Sequence, residues 1–197
     1  GTRQSGSNSD GWLTRVKSNG DAVWATTLSR ALPDWLSDAA LLSDAAGHNA
    51  AQGQSGDGVV AVGWTESGLT KPRAAWIVRV NSEGKAVWQR DLGTSGESSA
   101  LQSIAARADD SLVAAGSRTD KSGAHTLLVA ISAGGQPLWE RVAPTLDTAT
   151  GIAMGGSGSA ARAVTVGRAK TGTKEWSLQL LGHDPLGNRH WTQKWPS

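Results

Sequence analysis

The stretch WIVRVNSEGKAVW, residues 76–88, and its near copy WLTRVKSNGDAVW, residues 12–24, decide the fold. Each holds an apolar run, a polar turn with one glycine, and a tryptophan four residues after that glycine. The same step recurs from Gly135 to Trp139 and from Gly187 to Trp191, so the chain carries four copies of one unit. Eight residues before Gly20, Gly84 and Gly135 stand Trp12, Trp76 and Leu127; in the fourth unit Trp176 takes that part, with three extra residues in the turn. A second landmark, Val-x-x-Gly, ends at Gly63, Gly116 and Gly167. It precedes Trp88, Trp139 and Trp191 by 25, 23 and 24 residues, and Gly1 precedes Trp24 by 23, so Gly1 holds the place of that glycine in the first unit. Self-similarity at a fixed period is the signature of a repeat architecture.

The unit from Ser99 to Pro144 shows the strands. Ala100–Arg107 ends in the turn Ala108-Asp109-Asp110, and Ser111–Arg118 carries Leu112, Val113 and Ala115 before Gly116. A polar loop, 119–125, leads to Thr126–Ser132, and Gly134-Gly135 turns the chain into Pro137–Val142. Short apolar stretches punctuated by Gly, Asp and Asn read as four antiparallel strands per repeat. The turns KSNGDA and NSEGKA place Gly where a hairpin needs positive φ. One segment, Pro33–Ala46, is compatible with a short helical turn. Four strands in about 50 residues is the arithmetic of a β-propeller blade, which must stack on its neighbours to cover two apolar faces. The expected fold is therefore all-β, a single propeller domain over 1–197 with units near 1–62, 63–115, 116–166 and 167–197. Small residues such as Ala61, Ala114 and Ala115 suit the crowded centre, and the repeated Trp the wider space between blades. A β-sandwich does not account for four equally spaced tryptophans.

With strands A and B before Val-x-x-Gly and C and D after it, the chain reads C-D and then A-B-C-D three times, about 14 strands or 3.5 to 4 blades. The expectation is part of a larger propeller or one that another polypeptide completes by pairing with an exposed strand edge; a four-unit ring with one thin blade is the alternative. Trp24 to Gly63 spans 39 residues where the later units have 28, which puts an insert within 29–56, with Trp35, His48 and an Ala-rich stretch.

The pattern W-[LI]-x-R-V-x-S-x-G-x-A-V-W, followed by D-x-x-V-A-x-G, resembles propeller repeats of secreted and surface proteins of bacteria and archaea. It is similar, more distantly, to the tryptophan-docking repeats of quinoprotein propellers and of the outer-membrane assembly lipoprotein. The resemblance covers nearly the whole chain and implies a propeller placed outside the cytoplasm, periplasmic or secreted. The usual A-x-D-x-x-T-G-x-x-W is replaced by KSNGDAVW and NSEGKAVW, and no adjacent Cys pair is present. No quinone, and no other cofactor, is expected.

Composition narrows the function classes. The 197 residues suffice for one sizeable core. Nineteen Lys and Arg against 17 Asp and Glu leave a formal charge of only +2, with no basic cluster to neutralise phosphates, so no nucleic-acid partner is expected. Ten Trp with no Phe and no Tyr put the aromatic packing at a few repeated positions. Zero cysteines exclude disulfides, thiolate metal sites and cysteine nucleophiles. No apolar run approaches the roughly 20 residues of a membrane span.

No catalytic constellation stands out. His48, His125, His183 and His190 lack metal-ligand spacing. Asn8-x-Asp10-Gly11 and Ser55-Gly56-Asp57-Gly58 lack the ligand ladder of a calcium loop and read as turns. Asp109-Asp110 reads as a solvated turn, and the glycine-rich 155–160 lacks the Lys-Ser/Thr of a phosphate loop. Arg15 and Arg79, three residues after Trp12 and Trp76, are placed to stack on tryptophan or to pair with acids, with Ala130 and Gln179 as their counterparts. The first expectation is a non-catalytic interaction or scaffold module with a protein partner or a complementary propeller fragment. The alternative is a carbohydrate-binding or glycan-processing propeller. The candidate contacts are Trp35, His48, Trp64 and Trp195; no catalytic or metal-binding residue is assigned.

Overall fold

The computed structural model describes residues 1–6, 8–42, 58–66, 72–93, 96–143, 148–156, 162–170 and 175–195. They form fifteen strands in four antiparallel sheets, without a helix. The first sheet is β1 (Thr2–Ser5), β2 (Asn8–Val16) and β3 (Ala22–Leu28). The second is β4 (Asp34–Leu42), β5 (Gly58–Thr65), β6 (Ala74–Asn81) and β7 (Ala86–Leu92). The third is β8 (Ser98–Ala106), β9 (Leu112–Asp120), β10 (Gly123–Ile131) and β11 (Pro137–Ala143). The fourth is β12 (Thr148–Gly155), β13 (Arg162–Lys170), β14 (Trp176–His183) and β15 (Arg189–Trp195). Strands follow sequence order within every sheet.

Each sheet closes its last hairpin in the same way. A five-residue loop follows Val16, Val80, Ile131 or His183, and its fourth residue is a glycine with φ between 79° and 89°. The glycine amide donates to the first loop carbonyl, for instance Gly84 to Asn81 at 3.0 Å, and the register slips by one residue beside it. This is a type I turn followed by a left-handed residue, which a side chain at that φ would strain.

The Val-x-x-Gly landmark has a different cause. In each complete sheet the first strand bulges opposite that glycine, with one extra residue at Ser37, Gln102 and Thr150. The bulge presses a carbonyl, from Trp35, Ala100 or Thr148, onto the glycine Cα, and a methyl group at Gly63, Gly116 or Gly167 would overlap it. The bulge bends the first strand without breaking the ladder. Gly1 stands in the same place, its carbonyl accepting from the Trp12 amide at 2.9 Å as the chain enters β1.

The sheets stack in series. Leu13 and Leu28 of the first sheet cover Leu36, Ala61, Trp76 and Val78 of the second. The other face of the second, with Val60, Val62 and Ile77, packs on Leu101, Leu112, Leu127 and Ile131 of the third. Ala115, Leu128 and Trp139 of the third meet Ala149 and Ile152 of the fourth. The first strands lie nearest one another: Asp38 in β4 accepts from the Ser103 hydroxyl (2.7 Å) and the Ile104 amide (3.1 Å) of β8.

Several expectations are corrected. There are fifteen strands rather than about 14, because Thr2–Ser5 pairs with β2 and makes the first sheet three-stranded. Residues 34–42 of the expected helical turn are β4, since the segment lies in register along β5. The loop at 119–125 shrinks to Lys121-Ser122 between β9 and β10, where the Asp120 carboxylate accepts from the Ser122 amide (2.7 Å) and hydroxyl (2.6 Å). Asn8–Gly11 lies in β2 and is not a turn. The fourth unit has the same five-residue loop as the others, with no extra residues: Gln179, not Trp176, faces Gly167 as Trp76 faces Gly63.

Replacing Gly116 by Ala is expected to cost about 2–4 kcal/mol in urea unfolding, because rigid backbone on both sides of the bulge must move. Gly155→Ala, where a methyl group meets nothing within 4 Å, is expected to change stability by less than about 0.5 kcal/mol. Equal losses at the two sites would refute the bulge argument.

Candidate functional site

The turn glycines and the repeated tryptophans, four residues apart in sequence, meet across sheets rather than within one. Trp24 on β3 lies over Gly84 in the second sheet's loop, Trp88 on β7 over Gly135 in the third, and Trp139 on β11 over Gly187 in the fourth. The Trp24 indole N–H donates to the Ser82 carbonyl at 2.8 Å and that of Trp88 to the Ala133 carbonyl at 3.3 Å, equivalent loop residues. The guanidinium of Arg90 donates to the Gly135 carbonyl in the same seat. An indole presents a large flat apolar face with one donor at its rim, which suits a turn whose glycine leaves room for the ring and whose carbonyl points outward.

Four sheets make three such joints, and the two halves of a fourth are bare. Gly84, Gly135 and Gly187 are buried beneath their tryptophans, while Gly20 is exposed with nothing within 4 Å of a methyl group placed on it. Val16, at the foot of the first sheet, is 55% exposed; its counterparts Val80, Ile131 and His183 are 0%, 1% and 1% exposed. At the other end Trp191 is 43% exposed, with its ring lying back on Gly182 of its own sheet, whereas Trp24, Trp88 and Trp139 are half-buried. Trp176, Leu178 and Trp195 share that exposed face.

A polar cluster lines the first joint. Arg30 makes a bidentate pair with Asp91 of the second sheet, both contacts 2.6 Å, and sits 5.6 Å from the Trp76 ring centroid. Asp10 accepts from Asn8 (3.2 Å) and Ser29 (3.1 Å). Asp34 is fully buried, and burial pushes its carboxyl above the usual range; the Thr65 hydroxyl and Arg30 oppose this, and Asp10 and Asp91 add to it. At the third joint burial holds His183 below the usual imidazole range, with its Nε2 3.0 Å from the Thr165 hydroxyl. Arg79 is buried beneath the second joint and donates to the Ala133 carbonyl at 3.1 Å; burial holds its guanidinium below the usual arginine range, and the charge of Asp110 opposes this. Asp110 is thus buried, not solvated as the turn suggested. Arg15 is exposed, and the residue that takes this position in the fourth sheet is Gly182, not Gln179.

The sequence candidates are not brought together. Trp35 and Trp64 pair across β4 and β5 and stack on each other, with centroids 3.9 Å apart and planes at 14°. The Arg73 guanidinium covers the other face of Trp64 at 3.8 Å, so neither face of that ring is open to a sugar. Trp195 is exposed at the far end of the fourth sheet. His48 and residues 43–56 of the insert region, together with Asp57, lie outside the described residues. Sequence reasoning missed Gly20, Val16 and Trp191 as a set, although their signal was present: one turn and one tryptophan at opposite ends of the repeat series.

Two clefts follow the joints. One of about 470 Å³ lies between the first and second sheets, lined by Arg15, Trp24, Leu42 and Ser82 among others. A smaller one of about 320 Å³ lies at the third joint beside His183, Arg141 and Arg189. His125 lies beside the β9–β10 hairpin with Ser122 and Asp120, in a different sheet from His183. Among the described residues no three His, Asp or Glu side chains gather as a metal site, and no helix is long and apolar enough to cross a membrane. No protein-family model and no curated protein matches the chain.

Trp88→Ala is expected to destabilise by about 2–4 kcal/mol and Trp191→Ala by less than about 0.5 kcal/mol, measured by denaturant unfolding in dilute solution. A comparable loss at Trp191 would show that its ring is already seated. The buried acid gives a pH signature. Because the folded value of Asp34 lies above its unfolded 3.8, ionisation opposes folding, so stability is lost as pH rises through the folded value. Asp34→Asn is therefore expected to raise stability near pH 7, with the gain over wild type vanishing below the unfolded 3.8. His183 has the opposite sign: its contribution is complete above the unfolded 6.5 and lost as pH falls toward its folded value, a loss that His183→Gln would remove.

Proposed function

We propose that this chain is a non-catalytic interaction or scaffold module of the β-propeller type, whose exposed end faces receive another polypeptide. In this reading the four sheets are successive blades, with β4, β8 and β12 along the central axis and β7, β11 and β15 at the rim. One observation carries it: the fourth sheet presents Trp176, Leu178, Trp191 and Trp195 to solvent on the face that, in each earlier sheet, is covered by a neighbour. A contiguous apolar face of this kind is a docking surface in a folded protein. The first sheet adds an edge, because β1 pairs with β2 alone and takes the place of the second strand of the other sheets.

The side chains that would do chemistry are spent on structure. Buried Asp34, Asp110, Arg79 and His183 sit at the joints between sheets, where Arg79 and Asp110 face each other and His183 contacts the Thr165 hydroxyl. The polar turns rich in Ser, Gly and Asn, and the resemblance to repeats of secreted proteins, favour a setting outside the cytoplasm. The covered faces of Trp64 leave the glycan reading without its best platform.

Native mass spectrometry on the protein recovered from its own source tests the reading. The expected result is a defined complex that Leu178→Glu dissociates, since the charge would enter the docked face. A lone 20.3 kDa chain that neither variant nor concentration alters would overturn it.

A further inference from the structure

The bare halves of the missing joint belong to one chain. The fourth sheet offers the inserting side, Trp191 with Leu178 on the same face. The first sheet offers the receiving side, the Lys17–Asp21 loop with exposed Gly20 and, at its foot, Val16. We propose that the occupant is a second copy of this chain, joined head to tail, with Trp191 of one copy seated on the Gly20 loop of the other. This rests on the interaction reading above and names its partner.

The internal joints set the geometry. Trp24 on the Gly84 loop is the pattern, its indole N–H donating to the carbonyl of the second loop residue. That residue in the first sheet is Ser18, so Ser18 supplies the acceptor for Trp191. The loop itself is already formed: the Gly20 amide donates to the Lys17 carbonyl at 2.9 Å and the Lys17 amide to the Asp21 carbonyl at 2.8 Å, as in the three occupied loops. Its glycine has φ 89°, against 79° to 82° in the occupied ones. Around it, Val16 takes the position at which Val80 and Ile131 are completely covered by the preceding sheet. The seat is therefore preformed and empty, and its complement is exposed three sheets away.

A joint between unlike faces can extend without limit or close into a ring, according to its rotation. Two copies give a ring of eight sheets, within the range of about four to eight blades that such rings favour. Each copy then buries both of its end faces, and no apolar face is left open.

Sedimentation and native mass spectrometry of the purified chain, with two variants mixed, test this. Trp191→Ala removes the inserting ring and Val16→Lys places a charge in the receiving seat; both positions are exposed in the single chain, so both variants fold. Wild type is expected to form a species of two 20.3 kDa chains. Each variant alone is expected to lose at least about tenfold in association, equivalent to about 1.4 kcal/mol. The two variants mixed are expected to form a one-to-one complex held by one joint, where the intact ring of Val16→Lys meets the intact seat of Trp191→Ala, while the other joint carries both substitutions and stays open. A mixture that associates no better than its components would overturn the head-to-tail joint. Wild type that stays monomeric at high concentration would overturn the second copy. If a polypeptide of different sequence then accompanies the chain from its source, the interaction reading survives; a chain without any companion sinks both.

Discussion

The rest of the structure depends on a flat indole lying on a turn that has no side chain beneath it. Trp24, Trp88 and Trp139 each sit on the glycine of the next sheet's last loop, and the indole N–H of Trp24 and of Trp88 donates to a carbonyl of that loop. The contact joins the last strand of one sheet to the last loop of the next, while apolar residues of the broad faces fill the space behind it. It works because two local requirements coincide. The loop needs a left-handed residue to match the twist of its strands, and the ring needs a place where no Cβ projects. One glycine meets both, so turn and joint are lost or kept together.

A series of such joints differs physically from a single core. Each sheet is stabilised mainly by its neighbours, so stability accumulates along the stack and the terminal faces are its weak points. Repeat proteins commonly cover those faces with atypical end units. Here the fourth sheet is apolar outward, with Trp176 and Leu178 on the same side as Trp191, and the first sheet leaves Val16 uncovered. Charged side chains sit at the joints as well. The part-exposed Arg30–Asp91 pair, and buried Arg79 near buried Asp110, cross from one sheet to the next, which ties the relative placement of sheets to paired charges as well as to apolar area. A buried charge left without its partner, as Arg79 would be if the second and third sheets slipped, is costly, whereas the part-exposed Arg30–Asp91 pair adds little.

The amino-acid sequence by itself determined the repeat, the strand order, the hairpin turns and the need for glycine at two landmarks. These are all short-range: a loop of five residues and a bulge opposite a glycine are set by φ and by sterics within one sheet, and both leave a mark at fixed spacing. Residues 34–42 read as helix-compatible because Ala and Leu have high intrinsic helix propensity, and only the ladder with β5 makes them a strand. Trp176 was given the place of Gln179 because both are large and lie near the start of the same strand; the register, not the residue type, decides which faces Gly167. Tertiary structure alone decided that Trp24, Trp88 and Trp139 seat on the following unit, through a contact such as Trp24 to Ser82 that spans 58 residues. It also decided that Asp110 is buried and that Trp35 and Trp64 cover each other. Periodicity reports how a segment folds on itself, whereas these outcomes depend on which surfaces the stacked sheets bring together.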